Sequence, residues 1–395
     1  MRFDPYLLDK DAELEFRRLF KWTGEEVWHK KIVKLEQLSR GWPSYRDYLR
    51  QRNPLVVCLE RYFNLRKEGR TVWKHLDAAS LKLCGYIKLL NRMAHDYSPR
   101  ILNRLRGSIL DDDGIKGFLY ELDIAIHFFN QGFDVTFIDL EGCGNYDLLV
   151  GKGELEMEIE CKRKSIDAGR RIRKGDFYRL ADVLFAELEG SGRGVAVSIK
   201  SKGSIGTEQG LYRAIAKTVK EHSRSDHHSA RVSNLDINIQ HLPDDLRIQS
   251  EAEFEEAIRP FECPFGYYAV ASGRGSTTIL VCESAERTKI NRAIYDDLKT
   301  GASQLSGTRP AILTCLIEEV EEKDWAVLRQ PGYGLQAIAR RLFSNTSRQH
   351  ISLLVFNSDR SAPKREGNIL SFRDINLQFP NPKARFLVPN SYLSL

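Results

Sequence analysis

The segment ELEMEIECK, residues 154–162, alternates without a break. Leu155, Met157, Ile159 and Cys161 fall on one face of an extended strand, and Glu154, Glu156, Glu158, Glu160 and Lys162 on the other. One strand face thus carries four carboxylates followed by an ammonium. Thirteen residues before Glu160, Asp147 stands near the start of YDLLV (146–150), and the short turn GKG pairs that stretch with 154–162 as a hairpin. Across such a hairpin, side chains on one face come within roughly 5–8 Å, so Asp147, Glu160 and Lys162 can converge. A strict three-residue turn sets Asp147 opposite Met157, on the apolar face; one bulge brings it beside Glu158 and Glu160. Two carboxylates at that range repel unless a cation joins them, and hard oxygen ligands with room for water suit Mg²⁺ or Mn²⁺. The neighbouring lysine can orient or deprotonate a water, which completes a metal-assisted hydrolytic site in outline. The same acid-x-Lys form recurs at Asp297-Leu-Lys299 and Glu321-Glu-Lys323, but neither lies on an alternating strand behind an upstream acid.

These residues need elements to hold them. From about 10 to 108 the apolar residues recur at three and four, with breaks at Pro43 and Pro54, so a helical N-terminal domain is expected over 1–108. At 111 the texture changes. Asp111, Asp112 and Asp113 offer an N-cap to the helix GIKGFLYELDIAIHFFNQG, which Gly132 ends. Strand material follows at 134–140, 146–150 and 154–162, then a helix at 176–190, a strand at 194–200, a helix at 210–222 and a strand at 233–242. That order calls for an α/β sandwich around a mixed sheet over 109–245. Beyond 245, strand candidates GYYAVASG, TTILVCE, AILTCLIEE and HISLLVF, with helices near 285–304 and 334–346, make 246–395 a second α/β region. It is either a third domain or an extension of the first sheet. Glu121 borders the buried face of its helix, where it points either into the sheet or to solvent.

The arrangement resembles the PD-(D/E)xK nuclease superfamily, on the strength of Glu121 in GFLYELDIAIHFF, Asp147 in NYDLLV, and Glu160 and Lys162 in EIECKRK, over roughly 113–242. The resemblance implies a restriction endonuclease-like three-layer α/β/α core. It also implies a division of labour: Asp147 and Glu160 hold the metal, Lys162 serves the attacking water, Glu121 completes or supports the site, and the Cys161 carbonyl is a further ligand. Tyr146 stands where the family name has proline. The implied activity is a Mg²⁺- or Mn²⁺-dependent endonuclease hydrolysing phosphodiester bonds, in DNA first, of restriction or anti-phage defence type. Two alternatives stay open beside it: an RNA endonuclease, and a nucleic-acid-binding module that kept the fold and lost catalysis. A non-enzymatic assembly protein with a merely solvated strand face is the outside reading. Cutting both strands with one site per chain favours a homodimer.

Charge supports a polyanionic partner by its location. The whole chain has 60 Lys+Arg against 54 Asp+Glu, yet 161–240 alone holds 16 against 9. Arg163, Lys164, Arg170, Arg171, Arg173 and Lys174 follow the candidate catalytic lysine directly and are the expected phosphate contacts. Phe177 and Tyr178 read more readily as core than as base-stacking platforms. His222, His227 and His228 read as a solvated loop, SGRGST (272–277) as a hairpin connection and His127 as structural. There is no GxxxxGK[ST], GxSxG or HExxH, which removes those routes to a phosphate cradle, a serine hydrolase or a zincin. No stretch approaches the roughly 20 apolar residues of a membrane helix, the N-terminal residues lack a leader pattern, and the seven cysteines form no CxxC pair. A soluble cytoplasmic protein with reduced thiols is expected.

Overall fold

The computed structural model describes residues 11–70, 86–88, 99–100, 103–111, 115–189, 193–203, 205, 209–223, 227–243, 246–263, 265–273, 276–285, 289–320, 322–332, 334–358, 362–366, 369–373, 376–386 and 388. Four N-terminal helices come first: α1 (Asp11–Thr23), α2 (Glu25–Leu38), α3 (Pro43–Arg52) and α4 (Pro54–Lys67). Pro43 and Pro54 each sit in a first helical turn, where the missing N–H costs nothing. Phe16, Leu19, Trp28, Leu59 and Tyr62 are fully buried in a cluster that runs on into the α/β core. Within the helical domain expected over 1–108, residues 71–85 and 89–98 lie outside the described residues.

The helix α5 (Lys116–Asn130) buries Phe118, Leu119, Leu122 and Ile126 and is closed by Gly132 at a left-handed φ of 82°. The aspartate cap expected for it does not form at Asp111: its carbonyl accepts a hydrogen bond from Lys31 Nζ (2.5 Å), and Ile115 takes the cap position without a side-chain bond. Asp112 and Asp113 lie outside the described residues. Next come β1 (Asp134–Phe137), a one-turn helix α6 (Ile138–Glu141), β2 (Leu148–Lys152) and β3 (Leu155–Ser165). The strand expected over 134–140 therefore stops at Phe137. Gly142, left-handed at φ 71°, closes the helical turn that replaces its second half.

The chain continues through α7 (Lys174–Leu188), β4 (Gly194–Ser201), α8 (Gln209–His222), β5 (His227–Val232), β6 (Leu235–Leu242), α9 (Glu251–Ile258), β7 (Tyr267–Gly273) and β8 (Ser276–Ser284). It ends with α10 (Ile290–Ala302), β9 (Ala311–Glu318), α11 (Glu322–Leu328), α12 (Leu335–Phe343), β10 (Ile351–Ser358), β11 (Ala362–Glu366), β12 (Ile369–Arg373) and β13 (Asn376–Pro380). Two mixed sheets result, ordered β1-β2-β3-β9-β10-β13 and β5-β6-β4-β8-β7, with β11 and β12 as a separate pair. The protein is a mixed α/β molecule, but its strands are not shared out as the sequence order suggested. Those directly after β3 leave for the second sheet, and the parallel neighbour of β3 is β9, about 150 residues on.

Burial explains that choice. Every residue of β9 is buried, as a strand covered on both faces must be. Ile312 and Leu316 pack under α5, while Ala311, Leu313, Cys315 and Ile317 pack under α10 and α12. The segment 166–289 is thereby an excursion between β3 and α10, and its two ends meet. Lys289 N–H donates to the Gly169 carbonyl (2.8 Å), and a Cβ at Gly169 would lie 2.4 Å from the Ile290 backbone, so only glycine allows the crossing. The Asp182 carboxylate on α7 accepts the Ser44 and Tyr45 N–H groups at the start of α3 (2.8 and 3.1 Å), which ties the N-terminal helices to the second sheet's own layer. No helix among the described residues is long and apolar enough to cross a membrane. Cys143, Cys161, Cys282 and Cys315 form no disulfide among the described residues, and Cys84 lies outside them.

Candidate metal centre

The β2–β3 hairpin pairs Leu148 with Ile159, Val150 with Met157 and Lys152 with Leu155, so its turn is Gly153–Glu154. No bulge is present in this register. Continued by one residue, it sets Asp147 opposite Glu160 and not opposite Met157, because Gly151 and Lys152 extend the strand and Gly153, at φ 63°, makes a tighter turn. Asp147 is buried; its Oδ2 accepts the Cys161 N–H (2.7 Å), and its carbonyl accepts the Ile138 N–H (2.9 Å). Cys161 thus meets the centre through its backbone amide.

Two more acids arrive from the flanking helices. Glu121 on α5 is buried and points into the sheet, and Asp139 lies on α6. One carboxylate oxygen from each of Glu121, Asp139 and Asp147 lies within 4.8 Å of the others. Arg104, on the helical stretch 103–110, reaches into the same cluster: its Nη2 lies 2.6 Å from both Glu121 oxygens, and its Nη1 donates to Asp139 Oδ2.

Glu160 has no solvent exposure. Its Oε1 is ion-paired with Lys162, and among the described residues its Oε2 has no hydrogen-bond partner. Lys162 Nζ donates to Gln304 Oε1 (2.5 Å), and Gln304 Nε2 donates to the Asn145 carbonyl (2.9 Å), so the loop after α10 links the lysine back to the β2 side of the hairpin. The lysine stem runs across Gly301 of α10, where a Cβ would lie 2.8 Å from Lys162 Cε. The other acids of the strand face do different work. Glu158 is buried but held by the Ser306 N–H (2.8 Å) and hydroxyl, and Glu156 pairs with Arg309 (2.9 Å).

The cluster is electrostatically unfavourable as it stands. Burial pushes the Glu160 carboxyl up to about 8, with the Asp147 charge adding to the rise and Lys162 opposing it. Burial likewise lifts Asp147 to about 6, against the Cys161 amide. Glu121 is raised well above the carboxylate range by burial and by Asp147, with Arg104 opposing. Buried acids of this kind, close together and short of partners, hold a cation readily. The donor set is all carboxylate oxygen, which fits Mg²⁺ or Mn²⁺ in chemistry but does not single out one of them.

The basic run is not one continuous surface. Arg163 pairs with the buried Glu318 (2.8 Å), Lys164 with Asp297 (2.9 Å) and Arg170 with the buried Asp324 (3.2 Å). Lys174 is itself buried. Arg171 and Arg173 are the exposed members. The six were expected together because they are adjacent in sequence, but the strand end and the one-turn helix at 166–169 distribute them over different layers. Arg170 also lies over the Tyr267 ring (4.4 Å to the centroid), so its loss removes that contact together with the cation that faces the buried Asp324. Arg170→Ala is therefore expected to cost roughly 3 kcal/mol or more in urea unfolding, while Arg173→Ala stays within about 0.5 kcal/mol. Equal midpoints for the two would refute that sorting.

Phe177 is core, and Tyr178 is half-buried against Tyr48. His228 lies on β5 and stacks on His222 (3.7 Å between centroids), where a loop was expected. His127 meets Gln131 at the end of α5 (2.7 Å). The turn 272–277 does join β7 and β8, with 274–275 outside the described residues. Asp139, Arg104 and Gln304 were not singled out from the sequence. An acid eight residues before Asp147 was visible, but as part of a supposed strand; Arg104 and Gln304 have no local signal at all. No protein-family model, no curated protein and no solved structure matches the chain.

Proposed function

We propose that this protein is a metal-dependent nuclease that hydrolyses phosphodiester bonds in DNA, with a restriction endonuclease-like core. The observation that carries the reading is the convergence of Asp147, Glu160 and Lys162 across the β2–β3 hairpin, with Glu121 and Asp139 beside them. The order α5, β1, β2, β3, α10 and then β9 parallel to β3 supports it, with 166–289 inserted between β3 and α10. Asp147, Glu160, Glu121 and Asp139 would hold the cation, and the buried Glu160 Oε2, which has no hydrogen-bond partner among the described residues, fits that role. When bound, a divalent cation supplies Lewis-acid polarisation of the scissile phosphate and stabilises the leaving oxygen.

The chain's own residues supply the rest. Glu160 and Gln304 hold the Lys162 ammonium at one point, from which it orients a water for in-line attack. The walls formed by α5 and α10 exclude bulk water and strengthen each of these charges. Room for the lysine depends on Gly301. A methyl group there shifts Lys162, so Gly301→Ala is expected to lower the cleavage rate about tenfold, although alanine is the better helix former by about 1 kcal/mol. Unchanged cleavage by Gly301→Ala would show that the Lys162 position is not critical.

The decisive experiment incubates the purified protein with supercoiled plasmid, linear duplex and single-stranded RNA, each with Mg²⁺, with Mn²⁺ and with EDTA. Metal-dependent cutting of DNA, lost in Asp147→Ala and in Lys162→Ala, supports the reading. Cutting of RNA alone moves the substrate class to RNA. Intact nucleic acid in every lane, from folded and binding-competent protein, favours a module that binds without cutting.

A further inference from the structure

We infer that Arg104 is an internal counter-cation that competes with a divalent ion for the carboxylate cluster, so that the affinity of the centre for metal is set by how readily this side chain withdraws. The inference rests on the metal-centre reading above. Of the three acids whose oxygens lie within 4.8 Å of one another, Arg104 engages two: both oxygens of Glu121 and one of Asp139. A bidentate guanidinium and a divalent ion use the same lone pairs, and the same repulsion between acids that recruits one recruits the other. Arginine keeps its charge at every accessible pH, so it can release the cluster only by moving, not by losing a proton.

The surroundings allow that movement. Arg100, four residues earlier in the sequence, donates from Nη1 to the Leu140 carbonyl (2.9 Å), a hold on α6 that does not involve Arg104. The guanidinium carbon lies 4.9 Å from the Phe118 ring centroid, over a face that can still accept the cation when the carboxylates are taken by metal. Among the described residues Asp139 Oδ1 is buried without a hydrogen-bond partner, so only the oxygen that Arg104 engages is satisfied.

The test is a calorimetric Mn²⁺ titration at pH 8 of the full chain, Arg104→Met, Arg104→Lys and Asp147→Asn, each checked for fold by circular dichroism. Two cations that exclude each other are coupled through a shared site, and removing one is expected to tighten the other roughly tenfold. Arg104→Met should therefore bind Mn²⁺ about tenfold more tightly, and Arg104→Lys, which keeps the charge but loses the two-pronged grip, should fall between it and the wild type. If the methionine variant does not fold, the lysine variant alone carries the comparison. Binding that is lost in Asp147→Asn but unchanged or weaker in both Arg104 variants overturns the competition while the metal centre stands. Absence of Mn²⁺ binding in all four proteins overturns both.

Discussion

Asp147→Asn and Lys162→Met are each expected to reduce metal-dependent DNA cleavage by about 10³-fold, but for separable reasons. Asp147 is the acid common to the whole centre: it faces Glu160 across the hairpin and shares the 4.8 Å cluster with Glu121 and Asp139. Neutralising it takes away a ligand charge, so metal binding and cleavage fall together. Lys162 touches the centre through Glu160 and Gln304 and offers no ligand atom. Its methionine variant should bind metal at least as well as the wild type while turning over no faster than Asp147→Asn. Because the two act in one step, the double variant should be little worse than either single one. Calorimetry beside a plasmid-nicking time course reads both quantities. Full cleavage by either variant would remove that residue from the mechanism.

Glu160→Gln is expected to stabilise the protein in EDTA, increasingly so as pH rises. The native Glu160 carboxyl titrates near 8, against about 4.5 in an unfolded chain. Between those values the native state binds the extra proton, so wild-type stability falls with rising pH. The glutamine variant carries no such term. The stability difference between the two should therefore be small below pH 4.5, grow through the interval, and level off above pH 8 at a few kcal/mol, which is several degrees in melting temperature. The comparison of the two proteins cancels the titrating groups that lie away from the cluster. A flat difference would mean that Glu160 ionises like an exposed acid. Saturating Mg²⁺ should reverse the order of the two proteins, since only the wild type keeps all its ligand charges.

The meeting of Asp147 and Glu160 was more legible than the frame that holds them. The alternation of 154–162 was readable because a strand with one polar face repeats every two residues, and the pairing of Asp147 with Glu160 needed only one correction to the turn. The correction came from Gly153, whose left-handed backbone permits a turn shorter than the three-residue one assumed. Asp139 was hidden by DVTFIDL, which has strand composition but whose second half curls into a helical turn closed by Gly142. Arg104 could not be read, since nothing within ten residues of it points to Glu121 or Asp139. The sheet order was obscured because β3 takes a partner from far along the chain. A usable hint was present: AILTCLIE and ISLLVF are mostly apolar without alternation, as central parallel strands need, whereas LDINIQHL alternates as a strand with an exposed side does.

The crossing at Gly169 and Ile290 bears on how such a molecule is assembled over evolutionary time. Because the ends of 166–289 touch, that stretch can be gained, lost or exchanged as a cassette in a single genetic event. The β2–β3 hairpin and the pairing of β3 with β9 would keep their geometry through it. A core cut between Gly169 and Lys289, which are hydrogen-bonded to each other, would need only a short bridge. Beyond that point the cassette is tethered by the contact between α3 and α7, including the Asp182 cap, and by Asp324 on α11, which holds Arg170 and the Phe265 N–H, so a lineage that exchanges the graft must remodel both seams.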